Sequence, residues 1–186
     1  MQNNSPISQV NAFAMYDGVV LGLFGLLTLY VSKLSFSEPF FSTLFLLMLV
    51  GSPVLAAFRT FRFRRIVTEP GAPFTFTRGF LHALFMGFYA SIWVALGIFL
   101  YFSYLDHGSY FASFGASLAR PEVQESFDAS GMTETINLMT NGRGVEGLVD
   151  DMQAIGAATY AALALYSVLI FGPFISLLIG LLARRG

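Results

Sequence analysis

Residues 78–104, RGFLHALFMGFYASIWVALGIFLYFSY, read as a helix that crosses a membrane and that other helices pack against. Gly79, Ala83, Gly87, Ser91 and Ala95 recur at every fourth position, so they line one side of that helix and leave a shallow groove. Lipid tails are as apolar as leucine, so helices in a bilayer are held by close backbone contact. A row of small residues is what permits such contact.

The composition agrees with a membrane chain. Of the 186 residues, 55% are apolar and only 11% charged, against about a quarter charged in ordinary soluble domains. The mean hydropathy is +0.68. A formal net charge of −1 says little, because the signs are segregated along the chain. The length points to one membrane domain over residues 1–186. With no cysteine, a disulfide framework, a thiolate metal site and a cysteine nucleophile are all excluded. The amino-terminal MQNNSPISQVNAF has neither a cation before its apolar stretch nor a small-residue cleavage site behind it. The first span is therefore expected to be retained, with the chain starting at or near Met1.

Four spans are expected, over residues 13–33, 40–58, 78–104 and 154–183, giving an all-α integral membrane protein. The first carries Gly18 and Gly22 in a GxxxG pattern and ends on Tyr30 and Lys33, which suit the interface. Ser37 is expected to cap the second span, with Glu38 and Pro39 in its first turn, and Gly51-Ser52-Pro53 to kink it. The second span then runs into a turn containing Arg59, Arg62, Arg64, Arg65 and Arg78 against one acid, Glu69. Short arginine-rich loops stay in the cytoplasm, which predicts this loop and both termini on the cytoplasmic side.

Residues 106–153 read as an external, acidic, amphipathic segment with helical structure of its own. Pro121 opens one short helix and Gly131 closes it; Thr133 is expected to cap the next, with Met132, Ile136 and Met139 on one side. Val145, Leu148, Val149, Met152 and Ile155 keep helical spacing straight into the fourth span. There Ala154, Ala158 and Ala162 form one small-residue row. Gly172, Ser176 and Gly180 form another beyond a bend at Gly172-Pro173, as mates for the groove of the third span.

Ionisable groups inside a bilayer are costly and point to function by default. Asp17, Arg78 and His82 qualify, all at one membrane level near the cytoplasmic side. Asp17 can pair with Arg78 or Arg59, or form a protonatable couple with His82. No ionisable residue occurs at mid-depth in any span, which weighs against a proton-coupled carrier. Arg59, Arg62, Arg64 and Arg65 alternate with phenylalanine and suit lipid headgroups. Asp106 beside His107 could hold a metal only with further ligands, and HExxH spacing, a phosphate-binding glycine loop and a GxSxG elbow are absent. No catalytic, cofactor-binding or metal-ligating set is therefore assigned, and nucleic acid is not expected as a partner.

The YDGVVLGLFG start, the arginine turn followed by FTFTRGFLHALFMG, the SYLDHG exit, the ASGMTETINLM segment and the LIFGPFISLLIGLLARR ending resemble domain-of-unknown-function family 4199, found mainly in Bacteroidota. The resemblance covers nearly the whole chain from Tyr16, although the NGRG turn departs from the family pattern. It implies four spans in an inner membrane and no assigned activity. Members are often encoded beside a glycosyltransferase of the polyprenyl-phosphate type, which the resemblance implies as a partner. The expected role is an accessory or scaffold subunit of a membrane complex, with lipid and another membrane protein or a second copy as neighbours. The alternative is a small-molecule or lipid transporter acting as a homo-oligomer.

Overall fold

Helices long and apolar enough to cross a membrane cover Ile7–Ser35, Pro39–Val67, Phe76–Leu105 and Ala157–Ala183. A computed structural model describes residues 6–185; Met1 to Ser5, where the retained amino terminus was expected to begin, lie outside the described residues. The elements are α1 (Pro6–Ser35), α2 (Pro39–Val67), α3 (Phe76–Leu100), α4 (Ser109–Leu118), α5 (Pro121–Ser130), α6 (Met132–Met139), α7 (Gly144–Ala154) and α8 (Ala157–Ala183). A π-helical turn, Tyr101–Leu105, extends α3, and there the Asp106 N–H donates to the Tyr101 carbonyl at 2.9 Å. The chain is thus an all-α membrane protein with four membrane-spanning helices and a helical segment between the third and fourth.

Several local expectations are corrected. The arginines read as a loop after the second span ride on the last turns of α2, which runs on to Val67. Thr60 and Phe63 are buried there, so the helix has packing to continue for, and cations suit its carbonyl end. Glu38, not Ser37, precedes the first turn of α2, because Pro39 sits at its first position. Gly131, at φ 72°, both closes α5 and precedes α6, while the Thr133 hydroxyl donates to Asp128 at 2.6 Å. On α6 only Ile136 is buried; Met132 and Met139 are exposed. The helix does not run from the segment into the fourth span: Ile155 and Gly156 are extended and break it. Ala154 therefore ends α7, and the Ala154, Ala158 and Ala162 row is cut. Both α2 and α8 continue through their internal prolines, Pro53 and Pro173.

α3 is the hub, packed most extensively on α8 and α1, with α2 held chiefly by α1. Glycine sets both main approaches. A Cβ on Gly18 would lie 2.5 Å from Tyr89 Cβ and 3.0 Å from the Met86 carbonyl of α3. One on Gly180 would lie 2.9 Å from the backbone nitrogen of Phe80. Of the two glycines in the groove on α3, Gly79 is the tight one, beside Gly180 and Ala183, and Ala83 and Ser91 of the same row are buried. At Gly87 an added Cβ would meet nothing nearer than Val168 Cγ1 at 3.7 Å. Gly172 has only the same Val168 Cγ1, from its own helix, at 3.6 Å.

The starts of α1 and α3 and the ends of α2 and α8 gather at one end of the spans. Arg64 donates to the Ala183 carbonyl at 2.8 Å, and Phe74 and Arg185 exchange two backbone hydrogen bonds as an antiparallel bridge. At the other end, α4 to α7 form a cap. Phe102, Tyr110, Phe111 and Tyr160 pack ring on ring beneath it, and Phe36 packs on Tyr110 and Phe114. Arg120 donates to the Phe36 carbonyl past the end of α1.

Candidate functional site

Three helices each bring one part of a buried polar cluster. α1 supplies Asp17, α2 supplies Arg59 and Thr60, and α3 supplies His82; Asp17, Thr60 and His82 are at most 5% exposed. At 1.5 Å per residue, His82 lies about 9 Å inside the start of α3 and Arg59 about 12 Å inside the end of α2. Ala14 and Gly18, on either side of Asp17, are both buried, so α1 lies close enough for a short carboxylate to reach its partners.

Arg59 grips Asp17 Oδ1 through Nε at 2.7 Å and also through Nη2. His82 Nε2 faces Oδ2 at 3.2 Å, within ion-pair distance but poorly aligned for a hydrogen bond. Its other nitrogen, Nδ1, lies 3.1 Å from Thr60 Oγ1, which is 3.0 Å from the Ala56 carbonyl. Phe63 stacks on the imidazole, centroids 4.3 Å apart and planes within 5°.

This arrangement accepts either charge state of His82. With Thr60 donating to the Ala56 carbonyl, Nδ1–H can donate to Thr60 while Nε2–H faces the carboxylate, as an imidazolium requires. With the hydroxyl turned toward Nδ1, a neutral ring keeps its single proton on Nε2. The cluster cannot offer Thr60 or His82 to a substrate, because both are sealed at 0% exposure. Only the Asp17–Arg59 pair reaches a cleft, of about 300 Å³, which Tyr16, Arg62 and Ile66 also line.

Of the residues singled out from sequence, Asp17 and His82 meet and Arg78 does not join them. Arg78 Nη2 donates to Gln9 Oε1 at 2.9 Å, and its guanidinium lies 5.7 Å from the centre of the Phe74 ring. Arg59, grouped in sequence with the headgroup arginines, takes the place beside Asp17. Arg64 is turned to the end of α8, whereas Arg62 and Arg65 are exposed. Thr60 and Phe63 were missed. Their signal was the spacing Ala56, Thr60, Phe63, one buried stripe adjoining Arg59 on a stretch that was read as loop.

A second buried carboxylate, Asp106, lies at the cap end. It accepts from the Tyr110 N–H at 2.9 Å, the Ser109 hydroxyl at 2.9 Å and the Tyr101 hydroxyl at 2.8 Å, with Lys33 3.8 Å away. His107 beside it is exposed in a left-handed conformation, φ 48°. Asp106 thus holds the start of α4, and among the described residues no group of three or more His, Asp or Glu is placed to hold a metal ion.

The comparison with protein families matches residues 13–185 to a family described as protein of unknown function, DUF4199. The chain belongs to that family. The match takes in both buried carboxylates and the whole cap. No curated protein and no solved structure matches the chain.

Proposed function

We propose that this DUF4199 member is an accessory or scaffold subunit of a membrane complex, seated in a bacterial inner membrane with both termini cytoplasmic. One observation carries the reading: the buried carboxylates are partnered within the chain, Asp17 by Arg59 and His82 and Asp106 by its own cap. Intramembrane charge points to function by default; here it ties helices together, with the Asp17–Arg59 pair also bordering the 300 Å³ cleft. The arginines clustered at one end support the cytoplasmic assignment of that end. A glycosyltransferase of the polyprenyl-phosphate type is the first partner to test, on the family resemblance alone.

The test is gentle extraction of the tagged full chain from native membranes, followed by native mass spectrometry. A foreign subunit retained at fixed stoichiometry is the expected result. A monomer or homo-oligomer carrying only lipid would overturn it. That outcome would favour transport, a reading supported by the 300 Å³ cleft at Asp17 and Arg59, which Arg62 and Ile66 also line.

A further inference from the structure

We propose that the small cleft between the end of α2, the following turn and Arg185 binds a single phosphate group. The cleft, about 210 Å³, is lined by Arg64, Arg65 and Arg185 together with Thr68, Glu69 and Phe74. Three arginines line the cleft with one acid, Glu69, which forms no ion pair among the described residues. Glu69 therefore offsets only part of the positive charge that lines the cleft.

Arg64 and the backbone of Arg185 are anchored before any ligand arrives. Arg64 gives one N–H to the Ala183 carbonyl and lies 5.4 Å from the centre of the Phe61 ring, which leaves the rest of its donor fork available. Arg185 is held at its backbone by both hydrogen bonds of the bridge to Phe74, at 2.9 and 3.0 Å. Planar guanidinium forks match the oxygens of a phosphate two at a time, which a lysine cannot do.

An independent observation points to the same place. Thr68 Oγ1 is buried without a hydrogen-bond partner on a residue that lines the cleft. Buried hydroxyls are ordinarily satisfied, and a phosphate oxygen beside the arginines would satisfy this one. The volume falls below the range of about 300–1,000 Å³ typical of sites for drug-sized ligands, which fits a phosphate group and its first waters. The group can belong to free inorganic phosphate or to a lipid headgroup, since the cleft sits where the helices end.

The experiment uses the full chain in a phosphate-free neutral detergent. Inorganic phosphate, phosphatidic acid and phosphatidylcholine are titrated separately while the thermal midpoint is read. The expected result is a saturable rise with inorganic phosphate or phosphatidic acid and none with phosphatidylcholine. A rise with inorganic phosphate marks a site for the free anion, and a rise with phosphatidic acid alone marks a headgroup site. Arg65→Ala, which leaves the Arg64 bond to α8 in place, should raise the half-saturating concentration at least tenfold, and Thr68→Val should raise it severalfold. Arg184→Ala removes an equal charge from an exposed neighbour outside the cleft and should leave the response unchanged. No saturable response to either anion, or an equal loss in Arg65→Ala and Arg184→Ala, would overturn the site.

Discussion

Asp17 and Asp106 are both almost sealed, at 5% and 3% exposure, yet they are held in opposite ways. Asp106 takes its three hydrogen-bond donors, Tyr101, Ser109 and Tyr110, from within five residues of itself, and only the looser ion pair with Lys33 of α1, at 3.8 Å, comes from afar. Asp17 takes its partners from two other helices, more than forty residues away in sequence. The first is a local device that starts α4 and orients the cap. The second joins α1, α2 and α3, so its failure is felt by the spans as a whole. Burial alone does not distinguish a carboxylate that shapes a turn from one that assembles a bundle; the sequence distance to its partners does.

The contrast breaks most readily at Asp17. Replacing it with alanine leaves the largely but not fully buried Arg59 without its counter-charge, a loss of up to about 3–5 kcal/mol in buried pairs, read as lost folded yield and a lower thermal midpoint in detergent. The double variant Asp17→Leu/Arg59→Leu should recover most of that loss. If it is as unstable as Asp17→Ala, the pair is not what links the helices. Gly18→Leu comes next, because its side chain would collide with Tyr89 and the Met86 carbonyl and push α1 away from His82. Overpacking of this kind costs about 1–3 kcal/mol, whereas Gly87→Ala should be silent in the same assay, since its Cβ would meet only Val168 Cγ1, at an ordinary contact distance of 3.7 Å. Equal effects at the two glycines would contradict the described α1–α3 approach.

Asp106→Ala should cost about 1–3 kcal/mol for the donors it leaves unmet. Limited proteolysis should place the damage in the cap, with α1 to α3 still protected. Cleavage spreading into the spans would mean that the two carboxylates are not separate devices. The smallest effect is expected at Arg143, on the surface of the cap. Its hydrogen bonds to Asp151, and the attraction of that carboxylate, raise its pKa above the ordinary guanidinium value. Both side chains are about half exposed, and exposed pairs contribute little. Arg143→Ala should leave the thermal midpoint unchanged, and a clear drop would show that this pair holds the turn before α7.

The spans were legible because an apolar run of sufficient length has few alternatives, and the closing of α5 at Gly131 because a left-handed position favours glycine. What escaped the reading was non-local. Nothing in the spacing distinguishes Arg59 from Arg78 as the partner of Asp17; only the packing of α2 against α1 decides it. The arginine stretch was read as loop because charge ends a hydropathy window, although helix geometry continues through it to bury Thr60 and Phe63. The break at Ile155 and Gly156 interrupts an unbroken helical pattern, and only the turn onto α8 reveals why it is needed.

The π-helical turn at Tyr101–Leu105 sets the rotational phase between the spans and the cap. It holds one residue more than an α-helical turn closed at the same place would, so rewinding it to α geometry with no residue lost would turn everything beyond it by about 100° around the axis of α3. Asp106 would swing away from Tyr101 and Lys33, and the rings of Tyr110 and Phe111 would leave Phe102. Cap and spans are thus geared to each other through five residues, and a chimera that exchanges caps between relatives keeps its alignment only if this turn travels with the cap.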